Sequence, residues 1–135
     1  MTTSENEPFA VFFNQYGAAF DTPNKRAVFL EGVLVKSLLN IQFANRGSSP
    51  FADKLYGLRL NEKRAKKLYP EIIEKLREYK VTYALLETAT SKALLDAENN
   101  GWNLTADEVS YFFTLGLVLA PIFKEQENKT QQERE

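Results

Sequence analysis

The sequence contains no cysteine and no histidine, and these two absences exclude much of the chemistry open to a small protein. Without cysteine there is neither a disulfide framework nor a thiolate metal site. Without histidine there is neither the usual general base nor the usual zinc ligand, which leaves Asp, Glu, Lys, Tyr and Ser for any catalysis. We therefore expect that the protein is not an enzyme and that it uses no metal, cofactor or small-molecule substrate.

Strand signals are missing as well, because no run of alternating apolar and polar residues lies between turn signals. The chain also shows no charged-then-apolar leader, and no apolar run reaches the roughly 20 residues that a bilayer requires. We therefore expect a cytoplasmic protein with no membrane contact. A length of 135 residues with 44% apolar content is that of one domain with a real core.

Residues 27–43 form the longest apolar segment and predict a helix that is buried on most sides. Apolar residues recur at intervals of three and four around most of its circumference. Gly32, Lys36 and Asn40 recur at every fourth position and predict one narrow polar strip along it. Turn and cap residues on both sides place this central helix at residues 24–45.

The other segments with helical periodicity predict shorter helices around this central one. They are an aromatic helix from Pro8 to Phe20, a short helix or turn at 51–58, a helix capped by Asn61 and interrupted by Pro70, one at 82–98, and one that follows the Thr105–Glu108 capping box. Past residue 123 no apolar residue occurs, which predicts a disordered polar tail at 124–135. The predicted fold class is all-α, with residues 1–123 as one compact bundle of five to six helices around a central buried helix.

The net charge of −1 conceals an uneven distribution along the chain. Residues 46–80 carry ten basic and five acidic residues, whereas residues 81–135 carry four basic and nine acidic ones. A basic stripe with interspersed Tyr56 and Tyr69 is typical of surfaces that neutralise phosphates and stack bases. The nucleic-acid-binding residues predicted from it are Arg59, Lys63, Arg64, Lys66, Lys67 and Arg77. An ordinary solvated face is the alternative, since no known nucleic-acid module occurs.

Two groups of acidic residues are candidates for a metal site. Residues 96–107 partly match a calcium loop, but Asp107 stands at the twelfth position, where the bidentate ligand is Glu. A plain connection between two helices is the preferred interpretation, and metal binding by this segment stays open. The acidic residues at 71, 74 and 78 share a helical face, and lysines lie four residues before and after Glu71, which favours surface ion pairs.

Five short segments together resemble a known family. They are KRAVFLEGVL at 25–34, SPF at 49–51, LYGLRL at 55–60, LYPEI at 68–72 and YFFTLG at 111–116. Their combination resembles the C-terminal region of the type I-B CRISPR large subunit, a region that this family also makes as a separate small subunit. The resemblance extends over roughly residues 20–120 and contains no catalytic signature.

The resemblance implies a role in Cascade, the guide-RNA surveillance complex. Small subunits of this family line the inner side of the backbone filament, support the guide RNA and target strand, and help to hold the displaced non-target strand. The implied partners are the large and backbone subunits, the guide RNA and the DNA. Because the chain begins at Met1 and contains one helical domain, we expect the free-standing small subunit. The alternative is a helical adaptor between proteins that makes no direct nucleic-acid contact.

Overall fold

The structure is a computed structural model that describes residues 10–15, 19–47, 49, 51–52 and 60–134. In these residues the chain forms five helices and no strand, which confirms the all-α fold class. The helices are α1 (Ala10–Gln15), α2 (Pro23–Arg46), α3 (Glu62–Glu78), α4 (Ala84–Asn99) and α5 (Ala106–Arg134). The predicted helix or turn at 51–58 lies largely outside the described residues.

The predicted central helix is α2, which runs for 24 residues through the middle of the bundle. Thr22 caps its start by accepting a hydrogen bond from the Lys25 backbone N–H at 3.3 Å. Gly47 ends it in the left-handed conformation, with φ at 71°, and donates its N–H to the Phe43 carbonyl. Most of the α2 circumference is buried, because α5 and α4 pack along it and α3 covers a further side.

Helix α2 is also long and apolar enough, by length and composition, to cross a membrane. Its most apolar 18-residue window is 67% buried inside the bundle, and core helices of soluble proteins pass the same test. The packing therefore supports a core helix.

Helices α2 and α5 approach each other closely at two glycines, Gly32 and Gly116. A Cβ atom added to Gly32 would lie 2.3 Å from the Phe113 carbonyl oxygen and 2.9 Å from the Gly116 Cα atom. Gly32 is buried in this contact, so the prediction of a polar strip open along its whole length is wrong at this residue. Lys36 is half-buried and Asn40 is exposed, so only the C-terminal part of the strip reaches solvent.

Aromatic rings close the core where α1, α2 and α5 meet. Phe29 of α2 lies edge-on to Phe20 and Phe123, with centroid distances of 4.8 and 5.8 Å. Phe13 of α1 adds a further edge-to-face contact to Phe20 at 5.3 Å. These geometries are favourable for aromatic quadrupoles, so the aromatic face predicted for the first helix does pack on the central helix.

The C-terminal end of α5 extends further than the sequence analysis predicted. Thr105 and Glu108 form the predicted capping box, and the helix then continues to Arg134. Residues 124–134 are mostly Lys, Glu, Gln and Arg, whose helix propensity is high even where no apolar side chain can pack. The division into a folded domain at 1–123 and a disordered tail at 124–135 stays a prediction.

Candidate nucleic-acid interface

Helices α3 and α4 lie antiparallel and are joined by one ion pair near each end. Lys66 Nζ lies 3.0 Å from Glu98 Oε2, and the Arg77 guanidinium binds both oxygens of Glu87. Eleven residues separate the two members on each helix, a rise of roughly 16 Å along an α-helix. The two pairs therefore belong to one antiparallel register, and we call them the α3–α4 clasps.

The Arg77 clasp holds a buried carboxylate. Glu87 is only 8% exposed, and its Oε2 also accepts the backbone N–H of Tyr83 at 2.7 Å. Burial by itself raises the pKa of Glu87, but the hydrogen bonds from Arg77 and Tyr83 and the positive charge of Arg77 outweigh it and lower the pKa. Arg77 is thus engaged in an ion pair within the fold, and its predicted role in nucleic-acid binding stays a prediction.

The Lys66 clasp is a cluster of three side chains. Glu98 Oε2 accepts hydrogen bonds from Lys66 and from the indole Nε1 of Trp102, the latter at 2.9 Å. The Lys66 ammonium also lies 5.6 Å from the centroid of the Trp102 ring and 3.5 Å from Glu62 Oε1. The hydrogen bond to Glu98 is the main cause that raises the pKa of Lys66. Its charge is therefore largely compensated within the protein.

Three of the predicted site residues remain exposed and unpaired within the described part of the chain. Lys63, Arg64 and Lys67 are solvent-exposed, and none of the three makes an ion pair with another described residue. Asn61 caps α3 by accepting the Arg64 backbone N–H at 2.9 Å, so this helix start is well defined. The predicted site residue Arg59 lies outside the described residues. We call the three cations the α3 basic surface.

The α3 basic surface lies opposite the buried side of its helix. Ala65, Leu68, Ile72 and Leu76 form the buried stripe, as the sequence periodicity predicted. Lys63 and Lys67 are one turn apart, a rise of about 6 Å, so both can approach neighbouring phosphates of one strand. Lys63 and Arg64 lie in the first turn, where the helix dipole is positive and a cation costs about 0.3–1 kcal/mol. This placement does not stabilise the helix, whereas the three positive charges would stabilise a bound polyanion.

The charge of α3 changes sign halfway along the helix. Glu71, Glu74 and Glu78 follow Pro70, which lies within the continuous helix. Lys75 pairs with Glu78 at 3.3 Å, three residues further along the helix. The pairs predicted between Glu71 and the lysines at positions 67 and 75 stay a prediction. A polyanion is therefore attracted to the N-terminal half of α3 and repelled from the C-terminal half.

Of the two tyrosines predicted to stack on bases, the structure describes Tyr69. Tyr69 is half-buried, and its hydroxyl donates to the Glu87 backbone carbonyl at 2.9 Å, inside the α3–α4 contact. Tyr56 lies outside the described residues. The prediction of base stacking therefore stays a prediction.

Residues 96–107, which partly match a calcium loop, include the connection from α4 to α5 around Trp102. Trp102 is 1% exposed, and its carbonyl oxygen accepts a hydrogen bond from the Asn24 side chain of α2. Glu98 is already used by Lys66 and Trp102, and among the described residues no group of three acidic side chains could share a metal ion. The geometry therefore supports the preferred interpretation of a structural connection.

Helix α2 also carries a titratable residue that is fully buried in the core. Glu31 of α2 is 0% exposed, and neither of its carboxylate oxygens has a hydrogen-bond partner in the described structure. Burial raises the pKa of Glu31 well above its ordinary value. The signal was available in the sequence, because the neighbours at i±3 and i±4 are Ala27, Val28, Leu34 and Val35.

Comparison with known proteins gives one finding. Neither a curated protein nor a solved structure matches the chain significantly. A protein-family model described as "CRISPR-associated protein TM1802 (cas_TM1802) C-terminal domain" matches residues 1–131. This match confirms the CRISPR association that the sequence resemblance implied. Because it extends over nearly all of the chain, the protein belongs to the family of CRISPR-associated TM1802 C-terminal domains.

Proposed function

We propose that this protein is a non-catalytic small subunit of a type I-B CRISPR surveillance complex, Cascade, and that it acts in the cytoplasm. In this role it supports the guide RNA and target strand and helps to hold the displaced non-target DNA, beside the large and backbone subunits. Membership of a CRISPR-associated family supports the general role. The observation that carries the nucleic-acid contact is the α3 basic surface, Lys63, Arg64 and Lys67.

The chemistry of this contact is electrostatic and independent of base sequence. Each phosphate that a Lys or Arg neutralises releases counterions, and the affinity for a single strand falls with log salt at a slope of about −0.7 per contact. Three contacts therefore account for a slope of roughly −2. No general acid, base or nucleophile is required for holding a strand, which agrees with the expectation of a protein without enzymatic activity.

The test replaces the three cations of the α3 basic surface by alanine in the reconstituted complex. Binding of labelled single-stranded DNA of two unrelated sequences is measured over a series of salt concentrations. We expect weaker binding of both sequences to a similar extent, and a salt slope that is flatter by roughly 2. Folding should survive, because alanine is the better helix former and the cations lie at the unfavourable end of the dipole.

A matched control removes the same number of positive charges elsewhere, by Lys36→Ala, Lys75→Ala and Lys92→Ala. Net charge then changes equally, so a local contact is separated from a general loss of attraction. We expect the control to keep most of the salt slope. A folded α3 triple variant with unchanged affinity and unchanged slope would contradict the proposal.

The protein adaptor remains the second candidate because of the exposed apolar side chains. Leu85, Leu95, Tyr111 and Val118 each expose about half of their surface or more, as residues at a protein contact can do. Reconstitution with and without this chain separates the two roles. An adaptor changes the assembly of the complex alone, whereas a strand-holding subunit also changes DNA binding by the assembled complex.

A further inference from the structure

We propose that the last residue of α4, Asn99, and the connection that follows it, residues 100–105, form a second wall of the nucleic-acid site. It contacts the same single strand as the α3 basic surface, through uncharged amide side chains that hydrogen-bond to phosphate and sugar oxygens. This inference rests on the proposed function of the α3 basic surface and adds the element that contacts the strand beside it.

The Lys66 clasp places this connection beside the N-terminal end of α3. Glu98 is in the last turn of α4, and it binds Lys66 of α3 and Trp102 of the connection at once. Asn24 fixes the same tryptophan to the start of α2 through its carbonyl oxygen. The connection is thereby attached to two helices. Lys66 is adjacent to Lys67 in the sequence and follows Lys63 by three residues, which is less than one helical turn.

The backbone of the connection turns its amides outward. Gly101, Trp102 and Asn103 have φ values of 72, 63 and 51°, three successive residues in the left-handed region that side chains other than glycine rarely adopt. This turn buries the indole and leaves Asn99, Asn100 and Asn103 exposed. The Asn103 side chain donates to the Asn100 carbonyl at 2.9 Å, which stabilises the turned conformation.

The charge pattern of α3 determines the direction of the strand. A single strand held by Lys63 and Lys67 cannot continue along the helix, because Glu71, Glu74 and Glu78 follow on the same helix. The connection at the other side of the Lys66 clasp carries no acidic side chain between Asn99 and Thr105. The strand therefore crosses the N-terminal end of α3 towards the connection, where amide groups can donate to its phosphate and sugar oxygens.

The first experiment adds charge to the second wall by Asn99→Lys and Asn100→Lys in the reconstituted complex. Both positions are exposed and have negative φ or helical backbone, and a cation at the C-terminal end of α4 is favourable for the helix dipole. If the strand passes here, each lysine steepens the salt slope for single-stranded DNA by about 0.7. The matched control is Thr82→Lys, an exposed position in the connection at the opposite end of α3 and α4, and it should leave the slope unchanged.

The second experiment removes the amides by Asn99→Ala and Asn100→Ala. Hydrogen bonds of uncharged groups release no counterions, so we expect affinity to fall by about three- to tenfold with the salt slope unchanged. A merely electrostatic effect would change the slope instead.

The outcomes separate this inference from the proposed function. If the lysine variants bind as the original protein does, while loss of Lys63, Arg64 and Lys67 still weakens binding, the second wall is refuted and the proposed function stands. If Thr82→Lys steepens the slope as much as the other two, the effect is general attraction and the inference is also refuted. If the α3 triple variant has no effect either, the proposed function fails with it.

Discussion

Glu31 offers the sharpest test of the energetics of this fold, because it places an ionisable group in the apolar core without a partner. Its carboxylate is fully buried, and no described residue donates a hydrogen bond to either oxygen. An isolated buried charge costs far more than a buried neutral group, so the carboxyl group folds in its protonated form. We predict that Glu31→Gln, which keeps the shape and cannot ionise, stabilises the protein at neutral pH.

The sign of the pH dependence follows from the raised pKa of Glu31. Below the ordinary pKa of glutamate the group is protonated in the folded and unfolded states alike, and it does not penalise folding. As pH rises above that value, only the unfolded state loses the proton, and the free energy of unfolding falls by about 1.4 kcal/mol per pH unit until the folded pKa is reached. The difference in the free energy of unfolding between Glu31→Gln and the original protein should therefore increase with rising pH.

The assay is urea unfolding followed by far-UV circular dichroism, at a series of pH values from about 4 to 8. Glu31→Leu should be still more stable than Glu31→Gln, by about 1–3 kcal/mol, because it removes the unsatisfied polar group as well. The control is Glu74→Gln, which removes an exposed carboxylate of α3. If the difference in the free energy of unfolding between Glu31→Gln and the original protein stayed constant with pH, the reasoning would be refuted.

Three further predictions concern stability and the core. Gly32→Ala should destabilise by about 3 kcal/mol or more, measured by thermal unfolding, because its Cβ would meet the backbone of α5; Gly47→Ala, with open space but a φ of 71°, should cost only about 1–2 kcal/mol. Glu87→Gln should cost about 1–2 kcal/mol at neutral pH, since Arg77 is partly exposed. Because the pKa of Glu87 is lowered, this cost should vanish as pH falls through the folded pKa. Trp102, the sole tryptophan, should resist quenching by iodide in the folded state and become accessible in urea.

Local sequence patterns predicted where most of the described helices begin, and they predicted both ends of α2. Periodicity of apolar residues located α2 to within one residue at each end, and the caps at Thr22 and Gly47 act as such residues do elsewhere. The Thr105–Glu108 box likewise predicted the start of α5. These features are local, because a helix and its caps depend on residues within about four positions of each other.

Which polar residues are available to a partner depends on how the helices pack, and the sequence does not show it. Lys63, Lys66 and Lys67 are equivalent in the sequence, yet Lys66 is bound to Glu98, 32 residues further along the chain. Gly32 was assigned to a polar strip, although its lack of a side chain allows α5 to approach α2. Ion pairs and close helix contacts join residues that are remote in the chain, and no local pattern records which partner will be opposite. The clasps, the α3 basic surface and the burial of Glu31 all follow from how the helices pack.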